Sequence, residues 1–179
     1  TECLYSGIVD GVVGNHEYSQ LDAKSPTGVT VGGWCAKVNG VDYLQLDVGS
    51  LQLIAGVITQ GYATEDAWTT EMEVRTSRNG LTFALAGVFN SVNADRSTKV
   101  SSTFTEPIYA QFVRIQPTNW KGYSAMRADV LMGNADGGYL GSTHAQFVTA
   151  CTEFGCSSMT ENALVTFSET YSSSSLHMC

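Results

Sequence analysis

Positive charge is scarce in this chain of 179 residues. Lys and Arg number 9 against 17 Asp and Glu, so the formal net charge is −8 at pH 7. A nucleic-acid partner needs a basic face that neutralises phosphates, and this composition argues against one. Simple attraction to an anionic membrane is disfavoured for the same reason. Charged residues of both signs make up only 15% of the chain, an uncharged polar composition that is typical of extracellular β-proteins.

Several sequence motifs are absent as well. No apolar run approaches the roughly 18 residues that a membrane-spanning helix needs. The chain contains no G-x-S-x-G, no H-E-x-x-H and no Gly-rich phosphate loop, and it has only 3 histidines, so we do not expect an enzyme. It also has no N-x-S/T sequon, and N-glycosylation is not expected. The chain starts at TECLYSG without a signal peptide, which fits a processed, secreted protein.

The cysteine count is odd. The five cysteines are Cys3, Cys35, Cys151, Cys156 and Cys179. In an oxidising compartment a bond from Cys3 to a C-terminal cysteine would tie the two ends of the chain together. One thiol is left over or forms an intermolecular bridge, and Cys179 behind its Ser-rich stretch is the first candidate. Cys35 is interpreted as a buried thiol, free or available for an intermolecular bridge like Cys179, unless a tail cysteine reaches it. The spacing Cys151-x4-Cys156 lacks a second compact pair, so no metal site is predicted.

Two apolar runs between Tyr43 and Gly61 form the centre of the predicted fold. Each run has strand length and Gly49-Ser50 separates them, which predicts two neighbouring strands of a buried sheet. Further strand candidates follow, separated by turn signals such as Arg78-Asn79-Gly80, and no helical period persists before residue 140. Many short strands between turns favour an all-β sandwich or barrel. We expect one domain over residues 1–134 and a Gly-, Ser- and Cys-containing extension over 135–179, with one strand candidate at Ala163–Phe167.

Several motifs in residues 3–133 resemble one known family. They are Trp34-Cys35-Ala36, Tyr43-Leu44-Gln45-Leu46-Asp47-Val48-Gly49, Ile54 to Gly61, Ala67-Trp68-Thr69-Thr70, Pro107 to Ile115, Pro117 to Gly122 and Met126-Arg127. In this order and spacing they are similar to the discoidin domains, also called coagulation factor V/VIII type C domains. The resemblance implies an eight-stranded antiparallel jelly-roll barrel without enzymatic activity. It implies a binding module of secreted or cell-surface proteins that uses loops at one end of the barrel.

The chain departs from the family pattern in three places. The family's cysteine after the last strand is missing, so by the resemblance Cys3 pairs with Cys151 or Cys156 or stays free. The extension beyond residue 134 has no counterpart, and it is a candidate for packing on the barrel or for homo-oligomer contacts. The calcium-binding Asp of some sugar-binding relatives is replaced by SPTGVT at Ser25–Thr30. We therefore expect no cofactor, with a structural calcium ion as the open alternative because Asp129 lies where the family often has an acidic residue.

The resemblance places three binding loops at Asn15–Gln20, Ser25–Val31 and Gly61–Ala67. Aromatic faces and carboxylate or amide groups in these loops are suited to sugar rings and their hydroxyls. The predicted ligand-binding residues are Asn15, His16, Glu17, Tyr18, Tyr62, Glu65 and Asp66. Trp34, Trp68 and Trp120 fall on framework positions and are interpreted as core, and Arg114 and Arg127 as structural hydrogen-bond donors.

These features predict a secreted, extracellular lectin-like module that recognises glycans or cell-surface glycoproteins in adhesion. A disulfide-linked structural, matrix or adhesive protein is the alternative. A phospholipid-surface binder ranks below both, because the predicted loops carry Glu17, Glu65 and Asp66 with only Lys24 nearby, and an acidic tip is repelled by anionic lipid.

Overall fold

The computed structural model describes residues 19–23, 32–134, 139–143, 147–152 and 155–157. Within these residues the chain forms nine β-strands, and no helix is long and apolar enough to cross a membrane. The strands are β1 (Trp34–Cys35), β2 (Tyr43–Gln60), β3 (Trp68–Ser77), β4 (Ala84–Phe89), β5 (Val100–Lys121), β6 (Ala125–Gly133), β7 (Tyr139–Thr143), β8 (Phe147–Thr152) and β9 (Gly155–Ser157).

All strand pairs are antiparallel, and the main sheet has the order β1-β6-β2-β5-β3-β4. The two long strands change partners along their length. Residues 43–47 of β2 pair with β8 and the C-terminal half of β5, whereas residues 54–60 pair with β6 and the N-terminal half of β5. Strands that bend in this way pass from one layer of a β-fold to the other. The predicted all-β antiparallel class is therefore confirmed.

One bent strand replaces two predicted ones between Tyr43 and Gln60. The prediction of two neighbouring strands split at Gly49-Ser50 is wrong. Gly49 adopts a left-handed φ of 78°, and its amide donates to the Asp47 carboxylate at 2.8 Å. The pairing with β5 shifts register between Asp47 and Gln52 at this point. The glycine thus marks a bulge inside a continuous strand, which bends a strand without ending it.

The core lies between the two layers and follows the alternation of the strands. Leu44 and Leu46 of β2 are fully buried, and the flanking Tyr43 and Asp47 are half-buried; Gln45 between the two leucines is 7% exposed, and its Oε1 accepts from Arg114. Trp34 is 2% exposed, which confirms its predicted core position, whereas Trp68 and Trp120 are half-buried. The sixteen-residue main cluster joins side chains from β2, β3, β5 and β6, including Val57, Met72, Val113 and Val130.

Arg114 has the predicted structural role on the outer face of the sheet. Its Nε donates to Gln45 Oε1 at 2.7 Å. Its guanidinium lies 4.4 Å from the ring centre of Tyr43 and 3.6 Å from that of Phe83. Partial burial lowers the pKa of Arg114 from its ordinary value. Such a stacked, hydrogen-bonded cation crosslinks three strands or turns of the fold.

Part of the C-terminal extension belongs to the same sheet. Strand β7 pairs with β6, β8 pairs with the first half of β2, and β9 pairs with β8. Residues beyond 134 therefore add one strand beside β6 and another beside the first half of β2. The sequence pattern did not predict these strands, and the predicted strand Ala163–Phe167 lies outside the described residues.

Cys35 requires a correction. It is 3% exposed, which confirms its buried position, but it is disulfide-bonded, so the interpretation as a free or intermolecular thiol is wrong, and the alternative that a tail cysteine reaches it stays a prediction. The sequence left this bond as an alternative only, because spacing does not identify a partner for a single cysteine between Trp34 and Ala36. The predicted pairing of Cys3 remains a prediction, because Cys3 lies outside the described residues.

Candidate ligand-binding loop end

Three connections meet at one end of the fold. The antiparallel order brings the end of β2, the start of β3, the end of β5 and the start of β6 to the same place. We call residues 61–67, 93–98 and 121–124 together the loop end. Asn93 joins one of these connections to two strands: its amide donates to the Thr69 carbonyl of β3 at 3.1 Å and its Nδ2 to the Thr59 carbonyl of β2 at 3.2 Å.

Arg127 fastens the loop end from inside the domain. Its side chain is 4% exposed. Its Nε donates to the Gly61 carbonyl at 2.9 Å, and its Nη2 donates to the Arg96 carbonyl at 2.6 Å. Burial lowers the pKa of Arg127, and Asp22 partly opposes this effect. The predicted structural role of Arg127 is confirmed, and the residue fixes two different loops relative to each other.

Tyr62 lies inside the loop end and not on its surface. It is 7% exposed and packs with Cys35, Ala67 and Ala125 in a small second core. A Cβ atom on Gly32 would collide with its ring, so a glycine is needed there for the close approach. Burial, followed by the nearby Glu65, raises the pKa of Tyr62. Tyr62 therefore does not offer an exposed face for stacking a sugar, and its predicted ligand-binding role is not supported.

Tyr123 and Glu65 form a hydrogen-bonded polar pair at the loop end. The Tyr123 hydroxyl donates to Glu65 Oε2 at 3.0 Å, and the Tyr123 ring meets Tyr62 edge to face with centroids 5.7 Å apart. Both residues are half-buried. Burial and then the hydrogen bond to Glu65 raise the pKa of Tyr123 well above its ordinary value. The carboxylate keeps free lone pairs that can accept a ligand hydroxyl.

Asp66 and Arg96 form a loose, accessible ion pair beside this carboxylate. Arg96 Nη1 lies 3.9 Å from Asp66 Oδ1, with side chains 48% and 79% exposed. An exposed pair at this distance contributes little to stability. Both groups therefore remain available to an external ligand. The structure thus brings together Glu65 and Asp66, two of the predicted site residues.

Arg96, Tyr123 and Lys99 were not predicted from the sequence to lie at this end. Lys99 forms an ion pair with Asp22, whose carboxylate also accepts a hydrogen bond from Gln60 at 2.9 Å. The hydrogen bond to Lys99, and then that to Gln60, lowers the pKa of Asp22. The sequence did contain a signal for Arg96 and Lys99. Asn90–Asp95 has the composition of a loop, and antiparallel pairing of the strands that follow brings this connection back beside Gly61. The loop end therefore has mixed charge and is not uniformly acidic.

Four of the predicted site residues cannot be placed. Asn15, His16, Glu17 and Tyr18 lie outside the described residues, as do Lys24 and the loop Ser25–Val31. In the part of the chain that is described, no three His, Cys, Asp or Glu side chains are grouped to hold a metal. Asp129 is 2% exposed, and its Oδ1 accepts from the Val130 amide at 2.8 Å. The described residues therefore do not supply a set of ligands for the structural calcium ion that was left open as an alternative.

Comparisons with known proteins agree with this architecture. The family model of the F5/8 type C domain matches residues 12–130. Retinoschisin of Takifugu rubripes is 30% identical over 107 residues, covering 55% of this chain and 38% of the relative. Hemocytin of Bombyx mori is 26% identical over 156 residues, covering 73% of this chain and 5% of the relative. The chain thus spans less than half the length of these relatives.

A comparison of structures finds the same fold. Discoidin II from Dictyostelium discoideum superposes with a TM-score of 0.55 at 20% identity, covering 63% of this chain and 47% of that one. At this level of identity the likeness concerns the fold.

Proposed function

Because the chain belongs to the F5/8 type C domain family, we propose that it is a non-catalytic extracellular module that recognises glycans or glycoproteins through its loop end. Domains of this family are binding modules. Loops at one end of a rigid β-scaffold are where such modules place their variable chemistry. The disulfide at Cys35 supports an oxidising, extracellular location.

One observation supports the site most strongly. Groups from three separate connections pair at the loop end: the Tyr123 phenol donates to Glu65, and the Arg96 guanidinium faces the carboxylate of the next residue, Asp66. They supply both hydrogen-bond acceptors and donors, as the neighbouring hydroxyls of a sugar require. The buried Arg127 fixes the backbones that present Glu65 and Arg96. A site held in this way loses little conformational entropy on binding.

A single shallow site of this kind binds weakly, and we propose that copies of the protein act together. Multivalent presentation raises avidity without any new contact to the ligand. The residues of the extension beyond β9, including Cys179, are the candidates for that assembly.

A glycan array probed with the oxidised protein at high coating density, with and without calcium, tests the proposal. We expect selective binding to a small group of related terminal sugars. A blank array under both conditions would contradict the lectin-like function. Binding that requires calcium would revive the metal-site alternative.

The second candidate is a disulfide-linked structural or matrix protein. The odd number of five cysteines favours it, since one sulfur atom remains for an intermolecular bridge. This function predicts oligomers on a non-reducing gel that disappear on reduction, together with no response to sugars. Pelleting with phosphatidylserine vesicles would instead support a lipid-surface binder, for which the exposed Arg96 offers a basic group at the loop end.

A further inference from the structure

Two of the cysteines occupy directly opposed positions in the β8–β9 hairpin. Cys151 is the register partner of Cys156, between the pairs Ala150–Ser157 and Thr152–Gly155. The closing pair leaves a connection of two residues, 153 and 154. The hairpin is part of the main sheet, because β8 pairs with β2 over five register positions from Tyr43 to Asp47.

The register also fixes the type of strand pair. In an antiparallel hairpin with a two-residue loop, the closing pair exchanges both backbone hydrogen bonds, and opposed pairs then alternate. The Cys151–Cys156 pair is therefore non-hydrogen-bonded, with an expected Cα separation of about 4.5 Å. A disulfide spans Cα separations of about 4.4 to 6.8 Å. The backbone needs no rearrangement to accept a bond there.

The position of the hairpin separates this pair from Cys35. Cys151 lies opposite Tyr43, a half-buried position, whereas the neighbouring Leu44 is fully buried. Opposed residues of a pleated sheet lie on the same face, so Cys151 and Cys156 belong to the face that points away from the core. Cys35 lies in the buried cluster with Tyr62. Its disulfide is therefore a different bond.

We propose that Cys151 and Cys156 form an intra-hairpin disulfide, leaving Cys3 and Cys179 as the candidate partners of Cys35. This proposal goes beyond the glycan-binding function and does not depend on it. It replaces the expected pairing of Cys3 with Cys151 or Cys156. In the reaction the two thiols lose two protons and two electrons as the sulfur–sulfur bond forms. A small-molecule disulfide such as oxidised glutathione accepts them, and its own bond breaks to give two thiols.

The positions of the glutamates allow all disulfide bonds of the chain to be mapped with one protease. Cleavage after glutamate places each cysteine on its own peptide, namely 3–17, 18–65, 154–161, 170–179 and the peptide that ends at Glu153. The full chain, oxidised in a glutathione buffer and alkylated without reduction, is digested and analysed by mass spectrometry. We expect peptide 154–161 to be joined to the peptide ending at Glu153. A link from either of these to peptide 3–17 or 18–65, or alkylation of both thiols, would overturn the proposal.

A pair of cysteine variants tests the Cys151–Cys156 pairing independently. Cys156→Ser is expected to leave Cys151 as a thiol that takes up one alkyl group, with the Cys35 bond unchanged. The matched control Cys179→Ser is expected to leave the 151–156 link intact. If Cys151 remains bonded to another cysteine in the Cys156→Ser protein under mild oxidation, or if the control loses the link, the proposed pairing is wrong.

Discussion

Two single arginine side chains hold separate parts of the fold together. Arg127 links the backbones of two connections from within the domain, and Arg114 links Gln45 with two aromatic rings on the outer sheet. Neither faces a carboxylate at ion-pair distance among the described residues. Their role is to satisfy carbonyl and amide oxygens or to stack, which a lysine would do poorly.

Arg127→Met tests the fastening role. The substitution keeps much of the side-chain volume but leaves the Gly61 and Arg96 carbonyls without their donor. We expect a loss of about 2 to 4 kcal/mol in the free energy of unfolding, measured by urea denaturation. The matched control Arg75→Met breaks the exposed pair with Glu73 and should cost about 1 kcal/mol or less. Equal losses in the two variants would contradict the role assigned to Arg127.

Tyr123 should make the protein sensitive to alkaline pH. Burial, and then Glu65, raises its pKa in the folded state above the ordinary value of 10.0. As pH rises above about 10, the unfolded chain releases this proton while the folded chain keeps it, so the stability falls. Tyr123→Phe should show a smaller decline between neutral and strongly alkaline pH in the midpoint of urea unfolding. A decline as steep as in the wild type would show that Tyr123 does not contribute.

Residue types alone predicted some of these roles and missed others. Trp34, Arg114 and Arg127 stand inside strand motifs, and strand alternation makes their structural roles predictable. Tyr62 stands in a loop, where the pattern cannot distinguish an exposed ring from a buried one. Its burial depends on the close approach of Gly32, a residue thirty positions earlier in the chain. That packing exists only in three dimensions.

At the scale of strands, the bends of β2 and β5 determine the fold. Gly56 lies at the register shift of β2 against both β5 and β6. A Cβ atom there would meet the backbone of β5, with the Thr103 Cα 2.9 Å away and the Ser102 carbonyl oxygen closer still. Two backbones approach each other closely at this point, which a glycine permits.

Gly56→Ala should therefore be strongly destabilising. The added methyl group meets backbone atoms that cannot move without shifting a central strand, and we expect a loss of about 3 kcal/mol in thermal or urea unfolding. Gly133→Ala is the matched control, because its Cβ would lie 3.2 Å from the Pro107 side chain and not against backbone. A cost of about 1 kcal/mol is expected there. Comparable costs at both sites would refute the close-approach argument.

The strands themselves were only partly predictable. Their approximate positions between Tyr43 and Met132 follow from apolar alternation and turn signals. The continuity of β2 through Gly49 does not follow, because a glycine ends a strand in some contexts and makes a bulge in others. Strands β7, β8 and β9 are short and rich in Gly, Ser and Thr, so their sequences do not predict strands. Pairing of β7 with β6 and of β8 with β2 stabilises them in the folded protein.

For the whole molecule, net charge was an incomplete guide to the binding surface. The predicted loops, with Glu17, Glu65 and Asp66, suggested an acidic tip in this chain of net charge −8, yet the topology returns Arg96 and Lys99 to the end where Glu65 and Asp66 lie. Composition reports a sum, whereas recognition depends on which loops meet. The family pattern pointed to Gly61–Ala67, and the neighbouring connections at 93–98 and 121–124 became visible only with the strand order.

The central claim is that the loop end binds glycans, and a comparison of three proteins on one glycan array tests it most directly. They are the wild type, the double variant Glu65→Ala/Arg96→Ala, and the control Glu73→Ala/Arg75→Ala, which removes an exposed acid–base pair from the middle of β3. We predict selective glycan binding by the wild type and the control, and at least about tenfold weaker binding, or about 1.4 kcal/mol, by the loop-end variant. Equal binding by all three folded proteins, or a blank array for the wild type, would contradict the account.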